Sequence, residues 1–287
     1  MNRKDFLKLS GGAAMSAAFA SCFGGKANTN KGTIKNLGIQ LYSLRDDLPK
    51  DPKGVLKQLA SFGYKEIESY EGPQGMFWGL GHKGFKQYMD SLRLTIVSSH
   101  CDHTKDFEKK AAQAGEIGMK YLICPWVGPQ RSLDDYKKIA DEFNKAGEIC
   151  RKNGLRFAYH NHDYSFRQQN NQFPQDILME HTDPALVDFE MDMYWVVGAG
   201  QNPVEWMKRY RWRFKLCHIK DRKKNARPNG DDNNSCIVGT GSIDFKTILG
   251  EAKNLGMQYY ILEQEAYEKA PLDCVKEGAA YLNNLVF

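Results

Sequence analysis

The sequence predicts an α/β protein with one domain, a (β/α)8 barrel in which eight parallel strands alternate with eight helices. Short apolar runs alternate along the chain with amphipathic segments. Several amphipathic segments end in a Gly, and the next apolar run follows within one or two residues. The length of 287 residues is near the roughly 250 residues typical of this fold. No second domain is needed to account for the chain.

The joints between helices and strands carry the clearest local signal. Glycines stand at four of them, at Gly63, Gly118, Gly154 and Gly256. Gly tolerates the left-handed conformation that closes a helix, so each of these residues marks a helix end followed by a strand start.

The same pattern defines the remaining elements. In chain order, the predicted strands are Leu37–Leu44, Lys65–Tyr70, Leu94–Ser99, Tyr121–Pro125, Leu155–Tyr159, Val187–Met191, Phe214–Cys217 and Tyr259–Leu262. The predicted helices are Pro52–Ser61, Lys83–Ser91, Asp106–Ile117, Leu133–Asn153, Pro174–His181, Pro203–Tyr210, Phe245–Leu255 and Pro271–Leu285.

Four of the later strands are each followed directly by a residue that can bind a divalent metal. These residues are His160, Asp192, His218 and Glu263. In a closed barrel of parallel strands they converge at one mouth. Two imidazoles and two carboxylates suit one ion of Mn, Zn, Co or Fe better than Ca, which prefers oxygen ligands. Gln264-Glu265 follows Glu263, so the choice of carboxylate on this last strand stays open by one or two positions.

The N-terminus resembles a bacterial lipoprotein export signal. A basic start, Asn2–Lys8, precedes the small apolar stretch Gly11–Ala20, and Ser21 stands directly before Cys22. This pattern predicts a signal peptide over residues 1–21, lipidation at Cys22, a flexible linker over 22–35 and the barrel over 36–287. We expect a periplasmic or membrane-anchored protein that contacts the membrane through its lipid. The apolar stretch is shorter than the roughly 20 residues that a spanning helix requires.

Composition excludes one class of partner. The net charge is only +5 at 26% charged residues, and the Lys and Arg residues form no long run, so nucleic acid is not expected. The sequence leaves open whether the protein forms a homo-oligomer.

Strings on all but one of the predicted strands, and one before a helix, resemble the xylose isomerase-like TIM-barrel superfamily, the sugar phosphate isomerase/epimerase group. They are Gly38–Leu44, Glu66–Glu68, Ser98–His100, Tyr159–Asp163, Met191–Asp192, Cys217–Asp221, Gly239–Phe245 and Leu262–Glu263. The resemblance runs from about Leu37 to the C-terminus. It implies a metal held by residues of strands 5 to 8, at His160, Asp192, His218 and Glu263.

The chain departs from the epimerases of this group at one ligand. Their strand-5 ligand is a Glu, and it shares proton transfer with the strand-8 Glu on opposite sides of the substrate carbon. Here His160 takes that position, and a metal-bound imidazole has no free lone pair for this task. Besides Glu263, the groups that could take part in proton transfer are His162 and Glu68, and Lys220 could stabilise an oxyanion. His162 could instead be an alternative metal ligand, because it lies on the same strand face as His160.

Aromatic and imidazole side chains are expected to line the mouth and bind a sugar. They are Tyr42, His100, Trp126, Tyr164 and Trp195. The Gly-rich turn Gly239–Phe245 lacks a phosphate-loop motif and is expected to shape its loop. An exported enzyme also meets few sugar phosphates, so a non-phosphorylated sugar or glycoside is favoured.

Three functions remain open. The first is a metal-dependent sugar isomerase or epimerase that acts through an enediolate, and the resemblance favours it. The second is a lyase or hydrolase for 3-keto-glycosides, in which a ketone acidifies the C2 proton and β-elimination expels the C1 substituent; the loss of the strand-5 Glu favours it. The third is a sugar-binding lipoprotein without activity.

Overall fold

The computed structural model describes residues 32–227 and 231–287. The predicted signal peptide, Cys22 and most of the predicted linker lie outside the described residues. Among the helices that are described, none is both long and apolar enough to cross a membrane.

Eight parallel strands close into a barrel, which confirms the predicted fold. The barrel strands are β1 (Leu37–Gln40), β2 (Glu66–Tyr70), β3 (Thr95–His100), β4 (Tyr121–Cys124), β5 (Arg156–His160), β6 (Val187–Asp192), β7 (Phe214–Ile219) and β10 (Tyr259–Leu262). Each strand pairs with its neighbour in the chain order, and β10 pairs with both β7 and β1 to close the ring.

Helices surround the barrel in the described chain. They are α1 (Pro52–Ser61), α2 (Gly81–Ser91), α3 (Phe107–Glu116), α4 (Leu133–Lys152), α5 (Pro174–His181), α6 (Met193–Gly198), α7 (Pro203–Arg209), α8 (Phe245–Ala252) and α9 (Pro271–Asn284). Side chains cap several of them: Asp51 accepts from Gly54 N before α1, and Ser132 accepts from Asp135 N before α4. Both caps satisfy amides that lack an intrahelical partner.

Several predicted strand ends shift by one or two residues, and strand 1 needs the largest correction. Strand 1 ends at Gln40 instead of Leu44, and Leu41–Leu44 form a 3-10 turn. The Gln40 side chain accepts a hydrogen bond from Tyr42 N at 3.0 Å, which turns the chain away from the sheet. Tyr42 therefore leaves the barrel wall at the mouth.

The short elements that were not predicted include the helix α6 and a small two-stranded sheet. α6 begins directly after β6, because Asp192 accepts hydrogen bonds from Tyr194 N and Trp195 N and so nucleates the helix. β8 (Asp221–Arg222) and β9 (Ser235–Cys236) form a two-stranded antiparallel sheet beyond β7. Both elements lie near the C-terminal ends of the strands that carry the predicted ligands.

Gly256 shows why a glycine is required at a helix-to-strand joint. Its φ is +113°, a left-handed conformation, and a Cβ there would come within 2.8 Å of Trp212 Cα. Only Gly allows both the conformation and the contact. The predicted Gly63, Gly118 and Gly154 also have positive φ values.

Candidate metal centre at the barrel mouth

The four predicted ligands meet in one buried group. His160 ends β5, Asp192 ends β6, His218 is the second-last residue of β7, and Glu263 follows β10. His160 Nε2 lies 3.4 Å from Asp192 Oδ2, and His218 Nδ1 lies 3.2 Å from Glu263 Oε2 and 3.8 Å from Asp192 Oδ2. The group could hold a divalent metal ion.

The free atoms of this group fit a metal. His160 Nε2 and Asp192 Oδ2 are buried and have no hydrogen-bond partner among the described residues. Two ligands on a tetrahedral ion at about 2.0–2.1 Å are separated by about 3.3 Å, close to the observed 3.2–3.8 Å. The donor set of two nitrogens and two oxygens suits Zn, Mn, Co or Fe.

Outer contacts orient two of the ligands. His160 Nδ1 lies 3.3 Å from the Pro125 carbonyl, so a proton on Nδ1 would leave Nε2 free to bind. Asp192 Oδ1 accepts Tyr194 N at 2.8 Å, so the other oxygen points to the shared centre. Asp192 therefore caps α6 and offers a ligand atom at the same time.

Glu68 lies beneath the centre and holds His218. Its Oε1 is 2.6 Å from His218 Nε2, and it accepts hydrogen bonds from Gln40 Nε2 at 2.7 Å and from Ser98 Oγ at 2.6 Å. With this acceptor fixed, the proton of His218 belongs on Nε2 and the lone pair of Nδ1 faces the metal ligands. Glu68 is fully buried and does not line the cavity. The structure thus places it as a support of a ligand, away from a substrate proton.

A second carboxylate, Glu190, extends this support and was missed from the sequence. Its Oε2 lies 2.8 Å from His100 Nε2, and His100 Nε2 is 3.2 Å from Glu68 Oε1. One side-chain N or O atom from each of Glu68, His100, Glu190 and His218 also lies within 4.8 Å of the others, close enough for a possible metal site. Their shortest contacts, 2.6 and 2.8 Å, are hydrogen-bond lengths and are too short for two ligands of one tetrahedral ion. We therefore treat this group as a proton-linked support.

The sequence did contain a signal for Glu190. The run Val187–Asp192 alternates apolar and acidic residues, so Asp188, Glu190 and Asp192 share one face of the strand. Since Asp192 points into the barrel, the other two acids do as well.

Burial and charge act in opposite directions on these groups. Burial favours the neutral imidazole of His218, but the carboxylates of Glu190 and Glu263 raise its pKa well above the usual value. Burial and the nearby Glu68 raise the pKa of Glu190 to about 7. Without a metal, the centre therefore retains protons that a divalent ion would displace.

A cavity of about 500 Å³ opens above the metal ligands. His160 and Glu263 form its floor, and His162, Tyr42 and Trp126 contribute to its wall. Tyr42 is 39% exposed and Trp126 is 55% exposed. Two exposed aromatic side chains at one cavity are suited to contact the apolar face of a sugar ring.

The predicted substrate residues divide into two groups. Tyr42, His100 and Trp126 line the cavity. Tyr164 and Trp195 are buried behind it, with ring centres 5.8 and 5.2 Å from that of His162. In this position they support His162 and do not form the cavity wall.

His162 is the predicted base that the cavity exposes to a ligand. Its ring lies on the wall, and its buried Nδ1 has no hydrogen-bond partner among the described residues. Burial and the neighbouring His160 lower the pKa of His162 well below its usual value, so the ring is unprotonated at neutral pH. A neutral imidazole therefore lies on the cavity wall, with its ring centre 5.0 Å from that of His160.

Lys220 lies below the cavity wall. It is fully buried and contacts Glu265, and its Nζ is 3.4 Å from Asp232 Oδ1 and 3.7 Å from Glu263 Oε2. Its charge is therefore directed at three carboxylates. The same contact decides between the neighbouring acids of the last strand: Glu263 joins the ligand group, and Glu265 pairs with Lys220.

Comparisons with known proteins agree with this architecture. A family model described as xylose isomerase-like TIM barrel matches residues 56–285. A protein named inosose dehydratase from Clostridium botulinum (strain Eklund 17B / Type B) is 31% identical over 280 residues, which cover 90% of this chain and 90% of that protein. A second inosose dehydratase, from Clostridium perfringens (strain ATCC 13124), is 28% identical over 286 residues, again 90% of each chain.

A solved structure is similar over nearly the same span. It is a sugar phosphate isomerase/epimerase from Parabacteroides distasonis, with a TM-score of 0.74 and 30% identity. The match covers 88% of this chain and 95% of that chain.

Proposed function

Since the chain belongs to the xylose isomerase-like TIM barrel family, we propose that it is a divalent-metal-dependent lyase acting on a keto-sugar or keto-glycoside. The enzyme removes the proton on the carbon beside the ketone, and the substituent on the next carbon leaves by β-elimination. The substrate carries no phosphate. This is the second of the three functions that the sequence left open.

One observation supports the lyase most strongly: the strand-5 ligand is an imidazole. His160 directs Nε2 at the ligand group, 3.4 Å from Asp192 Oδ2. A proton relay between two carboxylates on opposite sides of a carbon would need an acid at this position. An elimination needs a base for one C–H bond, and the neutral imidazole of His162 lies on the cavity wall.

The chain would hold the metal through His160, Asp192, His218 and Glu263. When bound, a divalent ion would polarise the ketone oxygen and acidify the neighbouring C–H. The imidazole of His162 takes the proton, and the electron pair of the C–H bond forms the new C=C bond as the C–O bond to the leaving group breaks. The departing oxygen takes up the proton held by His162, so that water or an alcohol is released and the base is restored, beside the carboxyl groups of Glu265 and Asp232 in the cavity wall.

The relatives support elimination as the reaction class. Two of them are named inosose dehydratases, and a dehydratase removes water. Loss of water and loss of an alcohol from the β-carbon of a ketone are the same chemical step with different leaving groups.

The loop that could have bound a phosphate is occupied by the protein itself. Asp221 Oδ2 accepts hydrogen bonds from Gly239 N at 2.9 Å and Gly241 N at 2.8 Å. Asp244 caps the following helix α8 by accepting from Thr247 N. A carboxylate therefore fills the place where an anion would bind, which supports a substrate without phosphate.

A sugar isomerase or epimerase is the second candidate. The observation that favours it is the 30% identity to a protein named sugar phosphate isomerase/epimerase. Both reactions begin with loss of the proton beside a carbonyl, so only the products distinguish them: an epimerase returns a stereoisomer, and a lyase releases water or an alcohol.

The first experiment measures metal and products together. Protein purified without chelator is assayed for divalent ions by plasma mass spectrometry, and then incubated in D2O with a ketose, an inosose and a 3-keto-glycoside. We expect near one ion per chain and release of water or alcohol from the keto substrate. His218→Ala should lose both the ion and the reaction, whereas His181→Ala, on the exposed end of α5, should retain both.

Three other results would overturn the proposal. A metal-free parent that takes up no Mn, Zn or Co contradicts the metal centre and favours a sugar-binding protein. Deuterium incorporation with a new stereoisomer and no released group shows an epimerase. Turnover that survives complete removal of the metal excludes the metal-dependent mechanism.

We also propose that the protein is exported and carries a lipid on Cys22. The support is the basic start, the apolar stretch and the Ser21-Cys22 junction of the sequence. An enzyme in that location would meet glycosides from outside the cell, which agrees with a substrate that carries no phosphate.

A further inference from the structure

The barrel has two ends of different charge character. The mouth, at the C-terminal ends of the strands, contains the carboxylates of the metal centre and of the cavity wall. At the opposite end, the loops that lead into the strands carry Lys and Arg residues that the proposed reaction does not use. We call six cations at this end of the barrel the basic rim. They are Lys35, Lys65, Arg93, Lys120, Arg211 and Lys215. Five lie on these loops, and Lys215 lies near the start of β7.

Backbone pairing places the basic rim around one edge of the barrel. Thr95 N donates to Lys65 O at 2.9 Å, Lys120 N donates to Val97 O at 2.8 Å, and Gln258 N donates to Lys215 O at 2.8 Å. These bonds continue the barrel ladders at the N-terminal ends of the strands. The six cations therefore belong to one face, around the strand entries of β1, β2, β3, β4 and β7.

The basic rim is not neutralised by the protein. Among the described residues, none of its six side chains has a carboxylate within salt-bridge distance, and five of them are exposed with Lys215 half-buried. On the loops between the helices and the following strands, the acids are Asp183 and Glu66, the first residue of β2. Burial raises the pKa of Glu66 to about 6, which reduces its charge in mildly acidic conditions.

The positive charge of the basic rim is large relative to the net charge of the barrel. The net charge of the chain is +5, of which residues 1–31 contribute +4 through five Lys or Arg residues and one Asp. Residues 32–287 therefore carry only +1. A face with six unpaired cations is a local concentration of charge, balanced by acids elsewhere on the barrel.

Trp212 adds an aromatic group to the same face. It is 57% exposed, and Lys215 Nζ lies 5.4 Å from its ring centre. Its backbone N–H donates to Leu255 O at 2.9 Å. A cleft between Arg211, Trp212, Arg213 and Lys215 opens beside it. An exposed Trp among cations is typical of a surface that lies at the level of lipid headgroups.

The described chain also begins on this face. Leu37 starts β1, and Gly32, five residues earlier, pairs with the C-terminal residue through a 3.0 Å bond from Phe287 N to Gly32 O. Ten positions separate Gly32 from Cys22. A lipid on Cys22 would therefore tether the barrel from the end that carries the basic rim.

We propose that the basic rim is a docking surface for anionic phospholipid headgroups. Clustered Lys and Arg are attracted to such a surface, and Trp212 would insert at the interface. The orientation has a functional consequence, since the strands run from the rim to the mouth. With the rim on the membrane, the cavity with Tyr42 and Trp126 faces away from the lipid and is open to a soluble sugar.

The test measures sedimentation with lipid vesicles. The parent is the full chain with Cys22→Ser, so that no lipid is attached. The rim variant carries Lys65→Gln, Arg93→Gln, Lys120→Gln and Arg211→Gln. The matched control removes the same charge from exposed, unpaired lysines on the helices α1, α3, α4 and α8. It carries Lys57→Gln, Lys109→Gln, Lys145→Gln and Lys246→Gln.

Vesicles of phosphatidylcholine alone measure binding that does not depend on lipid charge. Vesicles with a quarter phosphatidylglycerol measure the response to negative charge, to which the cations of residues 1–31 contribute equally in all three proteins. At low salt, we expect the parent and the control to bind the anionic vesicles more strongly than the neutral ones. In the rim variant, this excess binding should be at least about tenfold smaller. High salt should remove the excess in all three proteins.

Two results would overturn the proposal. A parent that binds both kinds of vesicle equally shows that the rim has no affinity for anionic lipid. Equal losses of binding in the rim variant and the control would show that vesicle binding depends on the net charge of the protein and not on the basic rim. Circular dichroism melts and metal content confirm that each variant is folded, which separates this outcome from a failure of the proposed enzyme.

Discussion

His218 uses its two ring nitrogens for different purposes. Nδ1 faces Glu263 and Asp192, while Nε2 is 2.6 Å from Glu68 Oε1. A carboxylate behind a ligating imidazole fixes its tautomer and increases its basicity. The affinity for a metal bound by this group would therefore depend on Glu68, a residue that does not line the cavity.

This arrangement predicts that Glu68→Gln weakens metal binding. The amide keeps the shape of the side chain but lacks the charge that holds the proton on Nε2. We expect the dissociation constant of Zn or Mn to rise by roughly 10- to 100-fold, measured by competition with a chromophoric chelator. Glu66→Gln, two residues earlier on β2, is the matched control and should leave the constant unchanged. Equal affinity in parent and Glu68→Gln would contradict this role.

Glu66 carries a prediction of its own for stability. Burial raises its pKa to about 6, and a hydrogen bond from Asn36 only partly opposes the shift. The folded state therefore binds the Glu66 proton more tightly than the unfolded state. The contribution of Glu66 to stability falls as the pH rises through the window from its ordinary pKa to about 6.

Replacing this carboxyl group with an amide should remove the cost of ionisation. We expect Glu66→Gln to raise the midpoint of thermal unfolding at pH 8 by a few degrees, since the gain is at most about 1 kcal/mol for a partly exposed group. No gain is expected at pH 4, where Glu66 is protonated in both states. Glu148→Gln, on the exposed side of α4, should show no such difference between the two pH values.

At the scale of elements, strand β6 carries acidic side chains from the barrel mouth into the barrel interior. Its alternation places Asp188, Glu190 and Asp192 on the inner face at successive depths. The deepest acid pairs with Arg156 and with Tyr121, whose hydroxyl is 2.9 Å away. One strand therefore supplies the predicted ligand Asp192, the carboxylate of Glu190 that contacts His100, and a structural ion pair.

α4 must approach β6 closely for this strand to keep its place. A Cβ on Gly147 would lie 2.8 Å from Leu186 Cβ and 2.9 Å from Leu186 O, one residue before β6 begins. Gly147 is therefore used for close packing, although Gly weakens a helix interior.

The predicted consequence is a pair of Gly→Ala changes with opposite signs. Gly147→Ala should destabilise the protein by about 1–3 kcal/mol, because the methyl group meets backbone that cannot move aside. Gly84→Ala, at an exposed site of α2 where the nearest atom is Leu80 Cβ at 3.9 Å, should stabilise it by about 0.4–1 kcal/mol. Urea midpoints measure both. A gain in stability for Gly147→Ala would show that the packing of α4 is looser than described.

At the scale of the whole molecule, the proposed lipid anchor and the proposed docking face act together. A lipid on Cys22 would hold the protein at a membrane, and the basic rim would orient it. A single acyl chain alone binds membranes only marginally, so stable attachment needs a second interaction or further chains.

The anchor can be tested without reference to activity. When the full chain is expressed in a bacterium with an isotopically labelled fatty acid, we expect label on the protein and recovery in the membrane fraction. Cys22→Ser should abolish the label, because the thiol is the site of attachment. Cys101→Ser, which alters a buried thiol of the barrel, should keep it. Label that persists in Cys22→Ser would place the lipid elsewhere or disprove the proposed signal.

Much of the fold and the ligand group could be predicted from local patterns. The glycines that end helices and the apolar runs that follow them are properties of a few consecutive residues, and all eight predicted strands are present. His160, Asp192, His218 and Glu263 come together because the ends of parallel strands in one barrel must meet. The length of strand 1 could not be predicted, because it depends on the Gln40 side chain turning back to Tyr42 N.

The positions of side chains behind the mouth were less predictable. Tyr164 and Trp195 follow their strands as Trp126 does, yet they are buried and Trp126 is 55% exposed. The difference arises from the short helical turns Asp163–Phe166 and Met193–Gly198, which carry these two rings into the core.

By itself, the sequence determined the barrel class and the kinds of atoms that meet at its mouth, since both follow from the spacing of residues along single strands and helices. Only the tertiary structure decided which nitrogen of His218 is free, that Glu68 supports it, and that six cations share one edge. His218 and Glu68 are 150 positions apart, and their contact exists only after the barrel closes in one register. Local periodicity specifies which face a side chain occupies, whereas barrel closure specifies its neighbours on that face.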